Sequence, residues 1–119
     1  MEIKGTAKLL RVFVGESDKV GHTPLYEVIV KRAREQHLAG ACAWRGVLGF
    51  GASARMRTAK VLDLSSDLPM VIEIVDEESK VDAFIPTLHD LFEEADSGGL
   101  ITIEKVDVIR YVPASDESR

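Results

Sequence analysis

The chain has 119 residues, 45% of them hydrophobic, and a formal net charge of −5 from 20 acidic and 15 basic residues. These values are typical of one soluble globular domain, which we expect to span residues 1–113, with a polar tail at 114–119. The negative charge argues against nucleic-acid or anionic-membrane binding. No apolar run approaches the roughly 18–20 residues of a membrane span, and the N-terminus lacks a signal-peptide core, so we predict a cytoplasmic protein without stable membrane insertion.

The first half of the chain predicts a strand, a helix and a second strand. Residues 8–15 (KLLRVFVG) are β-branched and aromatic-rich and end at a glycine, as strands often do. Thr23 and Pro24 are typical of an N-cap and a first helical position, and the apolar spacing that follows predicts a helix to about residue 39. Residues 41–51 (ACAWRGVLGFG) read as the second strand, and 52–66 as a long loop or loose hairpin.

The second half repeats this organisation. Residues 68–77 (LPMVIEIVDE) form a near-continuous apolar run, which indicates a strand covered on both faces. Apolar residues at i, i+3 and i+4 predict a helix over 78–96, and Pro86 inside it should cause a kink or a break. Residues 100–112 predict a last strand, whose alternation shifts by one residue near Glu104 and Lys105; a bulge or bend is the expected cause.

The order β-α-β-β-α-β predicts an α+β fold of the ferredoxin-like, split β-α-β type. Its four-stranded antiparallel sheet carries two helices on one face. The other face should be wet in a monomer, yet the 68–77 strand is apolar on both sides. This pattern favours an oligomer that covers the sheet.

A basic, glycine-rich segment stands out in this acidic chain. No Asp or Glu occurs between Glu35 and Asp63, and residues 45–62 (RGVLGFGASARMRTAKVL) contain three glycines and four basic residues. Arg55, Arg57 and Lys60 could bind phosphate or an acidic partner; alternatively, they are solvated charges that keep a strand edge from associating. Glycine supplies the positive φ and the close approach that anion-binding backbone nests need.

Other residue types give weaker indications. Cys42, in an apolar context, is expected to be a buried, reduced thiol. Trp44 and Phe50 could stack on a base, although core or subunit-interface packing is favoured for Trp44. Glu16 and Asp18 could form a cap or contact a neighbouring subunit, although a surface position is favoured. The histidines lack metal-ligand spacing, and neither a P-loop nor a nucleophile motif occurs, so no metal site and no enzymatic activity are predicted.

Several motifs together resemble the PII-like signalling superfamily. They are GFG (49–51) opening a long loop, the SGG turn (97–99), and a final strand ending VIRYV. Within that superfamily, GESDKVGHTPLYEVIV, AGACAWRGVLGFG and ITIEKVDVIRY are most similar to the DUF190 or UPF0166 family. The resemblance implies a homotrimer with adenine nucleotides in its intersubunit clefts. It also implies a T-loop, here 52–66, that changes shape with the ligand and docks on a target such as a transporter or channel.

The resemblance and the basic segment together select candidate site residues. The ligand-binding candidates are Gly49, Phe50, Gly51, Arg55, Arg57, Ser97, Gly98, Gly99 and Arg110. The partner-binding loop would use Arg55, Met56, Arg57 and Lys60. PII proteins usually carry an arginine-glutamine pair where Ala52 and Ser53 stand, and a lysine at the position of Leu100. These departures argue against ATP binding in the PII style, whereas a smaller or less charged nucleotide is compatible with them.

Three function classes remain open on the sequence. The first is a PII-like regulator with a small effector, an adenine nucleotide being the one the resemblance implies. The second is a ligand-free interaction module that binds an acidic partner through the same loop. The third is a metal-binding trimer of the copper-tolerance type. RNA binding by the sheet is disfavoured by the net charge and by the few strand aromatics.

Overall fold

A computed structural model describes residues 3–51, 57–58 and 67–114. Four strands form one sheet: β1 (Gly5–Gly15), β2 (Cys42–Arg45), β3 (Pro69–Asp76) and β4 (Leu100–Val108). Two helices accompany it, α1 (Leu25–Glu35) and α2 (Glu78–Ala95). The strand order is β2-β3-β1-β4, and every neighbouring pair is antiparallel. The predicted ferredoxin-like fold is therefore confirmed.

The core lies between one face of the sheet and the two helices. The central strands contribute alternate residues, among them Leu10 and Val12 of β1 and Ile72 of β3, all fully buried. The helices contribute residues at i, i+3 and i+4 spacing: Leu25, Ile29 and Ala33 of α1, and Val81, Phe84, Leu88 and Leu91 of α2. Removing these apolar side chains from water is the main stabilising contribution. In the part of the chain that the structure describes, neither helix is long and apolar enough to cross a membrane.

Several element ends differ from the sequence prediction. Thr23 is not an N-cap, because Thr23–Pro24 pairs with Lys19–Val20 as a short strand and the cap position of α1 falls on Pro24. The helix ends at Glu35 rather than near residue 39, because His37 adopts a positive φ of 61° that no helix can continue. The helix α2 runs without a break through Pro86, whose ring is exposed to solvent.

The predicted bulge in β4 is wrong. The pairing of β4 with β1 is continuous from Leu100 opposite Phe13 to Val108 opposite Gly5. Ile101 and Ile103 lie opposite Val12 and Leu10, which face the helices, whereas the later valines of β4 fall on the other face. The apolar pattern shifts because the isoleucines at the start of β4 lie on one face of the sheet and its later valines on the other, while the backbone stays regular.

The loop after β2 starts as a hairpin. Leu48–Gly49 pairs with Arg57–Thr58 as two short antiparallel strands, which agrees with the expected loose hairpin. Arg55, Met56 and Lys60 lie outside the described residues. Only the backbone of Arg57 is described, opposite Gly49.

Candidate functional site

The two predicted glycine segments lie at the same end of the sheet. Arg45, Pro69, Gly15 and Leu100 are the strand termini at this end, which we call the loop end. The 49–51 segment follows β2 at one edge, and Ser97–Gly99 precedes β4 at the other edge. Three strand spacings of about 4.8 Å put the two edges about 14 Å apart. One chain therefore brings the segments to one end but holds them on opposite sides.

Two glycines at this end are required by packing. A Cβ on Gly99 would lie 2.2 Å from the carbonyl oxygen of Phe13 and 3.1 Å from the ring of Phe92. A Cβ on Gly46 would lie 2.7 Å from Cγ of Pro69, where the Gly46 N–H also donates a 2.7 Å hydrogen bond to the Pro69 carbonyl. Both residues are glycine because neighbouring strands pass too close for a side chain.

Gly51 and Gly98 have no such reason to be glycine. Both are exposed, and a Cβ on either would have no atom of the described residues within 4 Å. Positive φ values occur at Gly5 and Gly21 but at none of the other described glycines, so no glycine of these two segments adopts a left-handed conformation. Open, unstrained backbone at Gly51 and Gly98 leaves room for a ligand to approach.

An acidic turn between β1 and α1 contacts both the SGG turn and the end of β2. The Asp18 carboxylate accepts hydrogen bonds from the Ser97 hydroxyl at 3.0 Å and from the Gly15 N–H at 2.8 Å. On the other side, Glu16 forms an ion pair with Arg45 at the end of β2. The sequence analysis placed Glu16 and Asp18 at the surface or in a cap and missed this bridging role.

A cleft of about 390 Å³ lies on the sheet face away from the helices. Residues 39–42 form one wall, and Trp44 and Glu73 extend that wall onto the open face. Arg110 and Tyr111, just past the end of β4, line the cleft too. Most of the remaining lining is apolar. The cleft thus combines an indole ring, a guanidinium group and apolar walls.

A hydrogen-bonded network orients the indole ring. The Trp44 Nε1–H donates to Glu73 at 2.8 Å, and Arg11 donates to the other Glu73 oxygen at 2.9 Å. Arg11 also donates to Glu104 at 2.6 Å. The hydrogen bond to Glu73, more than that to Glu104, raises the pKa of Arg11 above its usual value. Glu73 is therefore paired on both oxygens and holds Trp44 at the cleft.

One sequence expectation fails at β2, and a second is narrowed. Cys42 is exposed instead of buried. Trp44 is 57% exposed and is not a core residue of the single chain, so subunit-interface packing is the part of its prediction that stays open. Both lie on a four-residue edge strand, on the face that the helices leave open. An apolar local sequence indicates contact with something apolar, but it does not say whether the same chain supplies that contact.

The predicted site residues thus fall into separate groups. Arg110 lines the cleft against the first residues of β2, and Gly49, Phe50 and Gly51 follow β2 along the same edge of the sheet. Ser97, Gly98 and Gly99 lie at the opposite edge. No group of three His, Cys, Asp or Glu side chains that could hold a metal ion occurs within the described ranges. Sequence reasoning missed Glu73 and Tyr111, for which no local motif exists.

Comparison with known proteins identifies relatives over most of the chain. The DUF190 family model, described as an uncharacterized ACR, matches residues 7–108. A UPF0166 protein of Aquifex aeolicus is 38% identical over 102 residues, which cover 86% of this chain and 92% of the relative. A UPF0166 protein of Methanocaldococcus jannaschii is 30% identical over 97 residues, or 82% and 86% of the two chains.

The fold also matches a solved structure. CPII of Thiomonas intermedia K12, a nitrogen regulatory PII-like protein solved with ADP, AMP and bicarbonate, superimposes with a TM-score of 0.65. The two sequences are 16% identical, and the match covers 87% of this chain and 88% of CPII. The fold of the chain is therefore PII-like.

Proposed function

We propose that this chain, which belongs to the DUF190 family, is a PII-like regulatory protein. It binds an adenine nucleotide at the clefts between the subunits of a homotrimer and transmits the bound state to a partner through loop 52–66. The observation that carries this proposal is the cleft in which Trp44 and Arg110 lie together.

The chemistry of the cleft fits a nucleoside phosphate. A flat purine can stack on the exposed indole of Trp44, and the apolar walls favour an aromatic ligand over a sugar. The Arg110 guanidinium can pair with a phosphate through two parallel hydrogen bonds. The volume of about 390 Å³ lies at the lower end of the range of small-molecule sites, about 300–1,000 Å³. An effector of AMP or ADP size is therefore favoured.

The two edges of the sheet support binding between subunits. The β2 side exposes Trp44, Val47, Leu48 and Phe50, and the β4 side exposes Leu100 and Ile103, all at least 40% accessible. Such apolar surface at both edges favours association of copies. If the β4 edge of one copy lies beside the β2 edge of the next, with their loop ends together, Gly98 of one subunit approaches Gly51 of its neighbour. A ligand could then contact both segments, which lie too far apart within one chain.

The loop is connected to this site by backbone. Leu48–Gly49 joins β2 to the hairpin at the base of the loop, so a displacement of β2 residues at the cleft reaches the loop directly. The ligand must bind two loop conformations with different affinity, since only a differential affinity shifts their populations. CPII, solved with ADP and AMP, gives independent support for an adenine nucleotide on this fold.

A ligand-free interaction module is the second candidate. It is favoured by the exposed apolar side chains of Val47, Leu48 and Phe50, 58–72% accessible, at the base of the basic loop. An acidic partner with apolar side chains would complement this surface without any effector. In this case, charge reversal at Arg55 and Arg57 abolishes partner binding and no nucleotide changes it.

Tryptophan fluorescence tests the proposed function directly. Trp44 is the only tryptophan of the chain and lines the cleft, so its emission should change on titration with AMP, ADP or ATP. We expect Arg110→Ala to weaken AMP binding about tenfold or more, the usual loss for a charged hydrogen bond. The matched control, Arg34→Ala on the exposed side of α1, should bind as wild type. A trimer that melts cooperatively but responds to none of the nucleotides would exclude the regulator and select the interaction module.

A further inference from the structure

The segment after β4 is attached to the chain at Tyr111. The Tyr111 hydroxyl donates a hydrogen bond to the Ala39 carbonyl, and the Tyr111 carbonyl accepts one from the Ile3 N–H at 3.3 Å. Ile109 and Val112 on either side are 83% and 46% exposed. Within the described part of this segment, Tyr111 therefore makes the main attachment.

The residue that Tyr111 binds is itself fixed. The Ala39 N–H donates to the Asp76 carboxylate at 2.9 Å, and the other Asp76 oxygen accepts from the Glu77 N–H at 2.7 Å. Asp76 is 1% exposed, the most buried charged side chain of the described residues. Buried carboxylates with two N–H donors form rigid, geometrically specific connections. Ala39 is thus held from β3 and offers its carbonyl in a defined direction.

This connection crosses the cleft at the position of Arg110. Ala39 begins the 39–42 wall, and Arg110 precedes Tyr111 directly. Arg110 is exposed, and its own guanidinium takes part in no ion pair within the described ranges. The backbone that places it is therefore determined by the neighbouring Tyr111 contact.

We propose that Tyr111 is a positioning residue, which holds Arg110 where its guanidinium meets the phosphate of the bound nucleotide, and that Asp76 fixes the Ala39 carbonyl that Tyr111 needs. The inference rests on the proposed function and goes beyond it, because Tyr111 acts through Arg110 and not on the ligand. It predicts that the contribution of Tyr111 depends on the phosphate of the ligand and on the presence of Arg110.

The test compares Tyr111→Phe with the matched control Tyr26→Phe. Loss of the single hydroxyl should weaken AMP and ADP binding about five- to tenfold, the scale of one hydrogen bond, and leave adenosine binding unchanged. In the Arg110→Ala background, Tyr111→Phe should cause no further loss, since the two residues act as a unit. Tyr26→Phe should bind all three ligands as wild type does.

Equal losses for adenosine and AMP would overturn the inference, because Tyr111 would then only shape the wall. Full additivity with Arg110→Ala would overturn it too. Hydrogen exchange gives a readout that needs no nucleotide: the Ile3 amide should exchange about fivefold faster in Tyr111→Phe when the segment detaches. Unchanged exchange excludes the positioning role. If the Ile3 amide exchanges faster in Tyr111→Phe but the wild-type protein binds no nucleotide, the proposed function is refuted, whereas the attachment of the segment by Tyr111 is not.

Discussion

Gly99 offers the sharpest test of the packing at the loop end. In Gly99→Ala the new methyl carbon would lie 2.2 Å from the Phe13 carbonyl oxygen, far inside the 3.0 Å below which such contacts are essentially not seen. The Phe92 ring, 3.1 Å away, closes a second direction. The methyl group can fit only if the backbone of β1 and the start of β4 separate.

The cost follows from what must move. Phe13 pairs with Leu100 in the ladder between β1 and the edge strand β4, so separation breaks the last pairing between β1 and β4. Overpacking of this kind costs about 1–3 kcal/mol, and a rigid backbone oxygen favours the upper limit. For a chain of this length, about 3 kcal/mol corresponds to a decrease in Tm of about 10 °C.

Gly98→Ala is the matched control, one residue away. A Cβ there meets no atom within 4 Å, and φ is not positive. The free energy of unfolding should therefore change by less than about 0.5 kcal/mol. The two variants are compared by differential scanning calorimetry at equal protein concentration, with wild type alongside.

The reasoning is refuted if Gly99→Ala melts within about 2 °C of wild type, or if both variants lose the same stability. Gly98→Val extends the experiment to function. Because its side chain projects into open space, the fold should tolerate it, whereas a ligand that contacts Gly98 at the loop end would be blocked. A stable Gly98→Val protein that binds AMP as wild type does would remove Gly98 from the proposed site.

The remaining predictions concern the turn, an ion pair and the thiol. Asp18→Ala should destabilise the chain more than Ser97→Ala, by about 1–2 kcal/mol in urea unfolding, because it also leaves a backbone N–H without its acceptor; equal losses would contradict the bridging role. Two carboxylates of α2 raise the pKa of Lys8 above 10.5. The ion pairs of Lys8 therefore stabilise the fold fully below pH 10.5, and this contribution is lost as the pH rises through the raised pKa. Between pH 10 and 12, the urea midpoint of wild type should fall more than that of Lys8→Gln. Equal decreases in the two midpoints would exclude the effect. Cys42, exposed in the cleft of the single chain, should react with a thiol reagent in the native protein, and saturating AMP should slow this reaction. An unchanged reaction rate in wild-type protein that binds AMP would contradict the shared cleft.

Local pattern was sufficient for most of the fold. The helix predicted over 78–96 is observed at Glu78–Ala95, because its apolar spacing acts within a few residues; it ends before Asp96, which adopts a left-handed conformation. The strand predicted over 68–77 is observed at Pro69–Asp76 for the same reason. The order of elements is then compatible with only a few topologies, since connections between elements are short and crossover connections are right-handed.

The errors arise where a distant residue decides the structure. Trp44 binds Glu73, 29 residues away, and Tyr111 binds Ala39, 72 residues away; no local motif encodes either contact. The shift of apolar pattern in β4 has two physical causes, a bulge or a change of covered face, and only the observed register distinguishes them. Gly99 and Gly98 look alike in sequence, and only the approach of β1 shows that the first serves packing.

The open face of the sheet gives a last argument about assembly. Its centre carries the paired charges of Arg11, Glu73 and Glu104, which a purely apolar partner would leave without water. A second copy of the chain that buries the apolar residues at the two sheet edges is therefore favoured. If the nucleotide lies between copies, binding and assembly are linked, and each must strengthen the other. The apparent affinity for AMP should then fall when the protein is diluted until the trimer dissociates, as followed by Trp44 emission and sedimentation. A site completed within one chain would bind AMP equally well at every protein concentration.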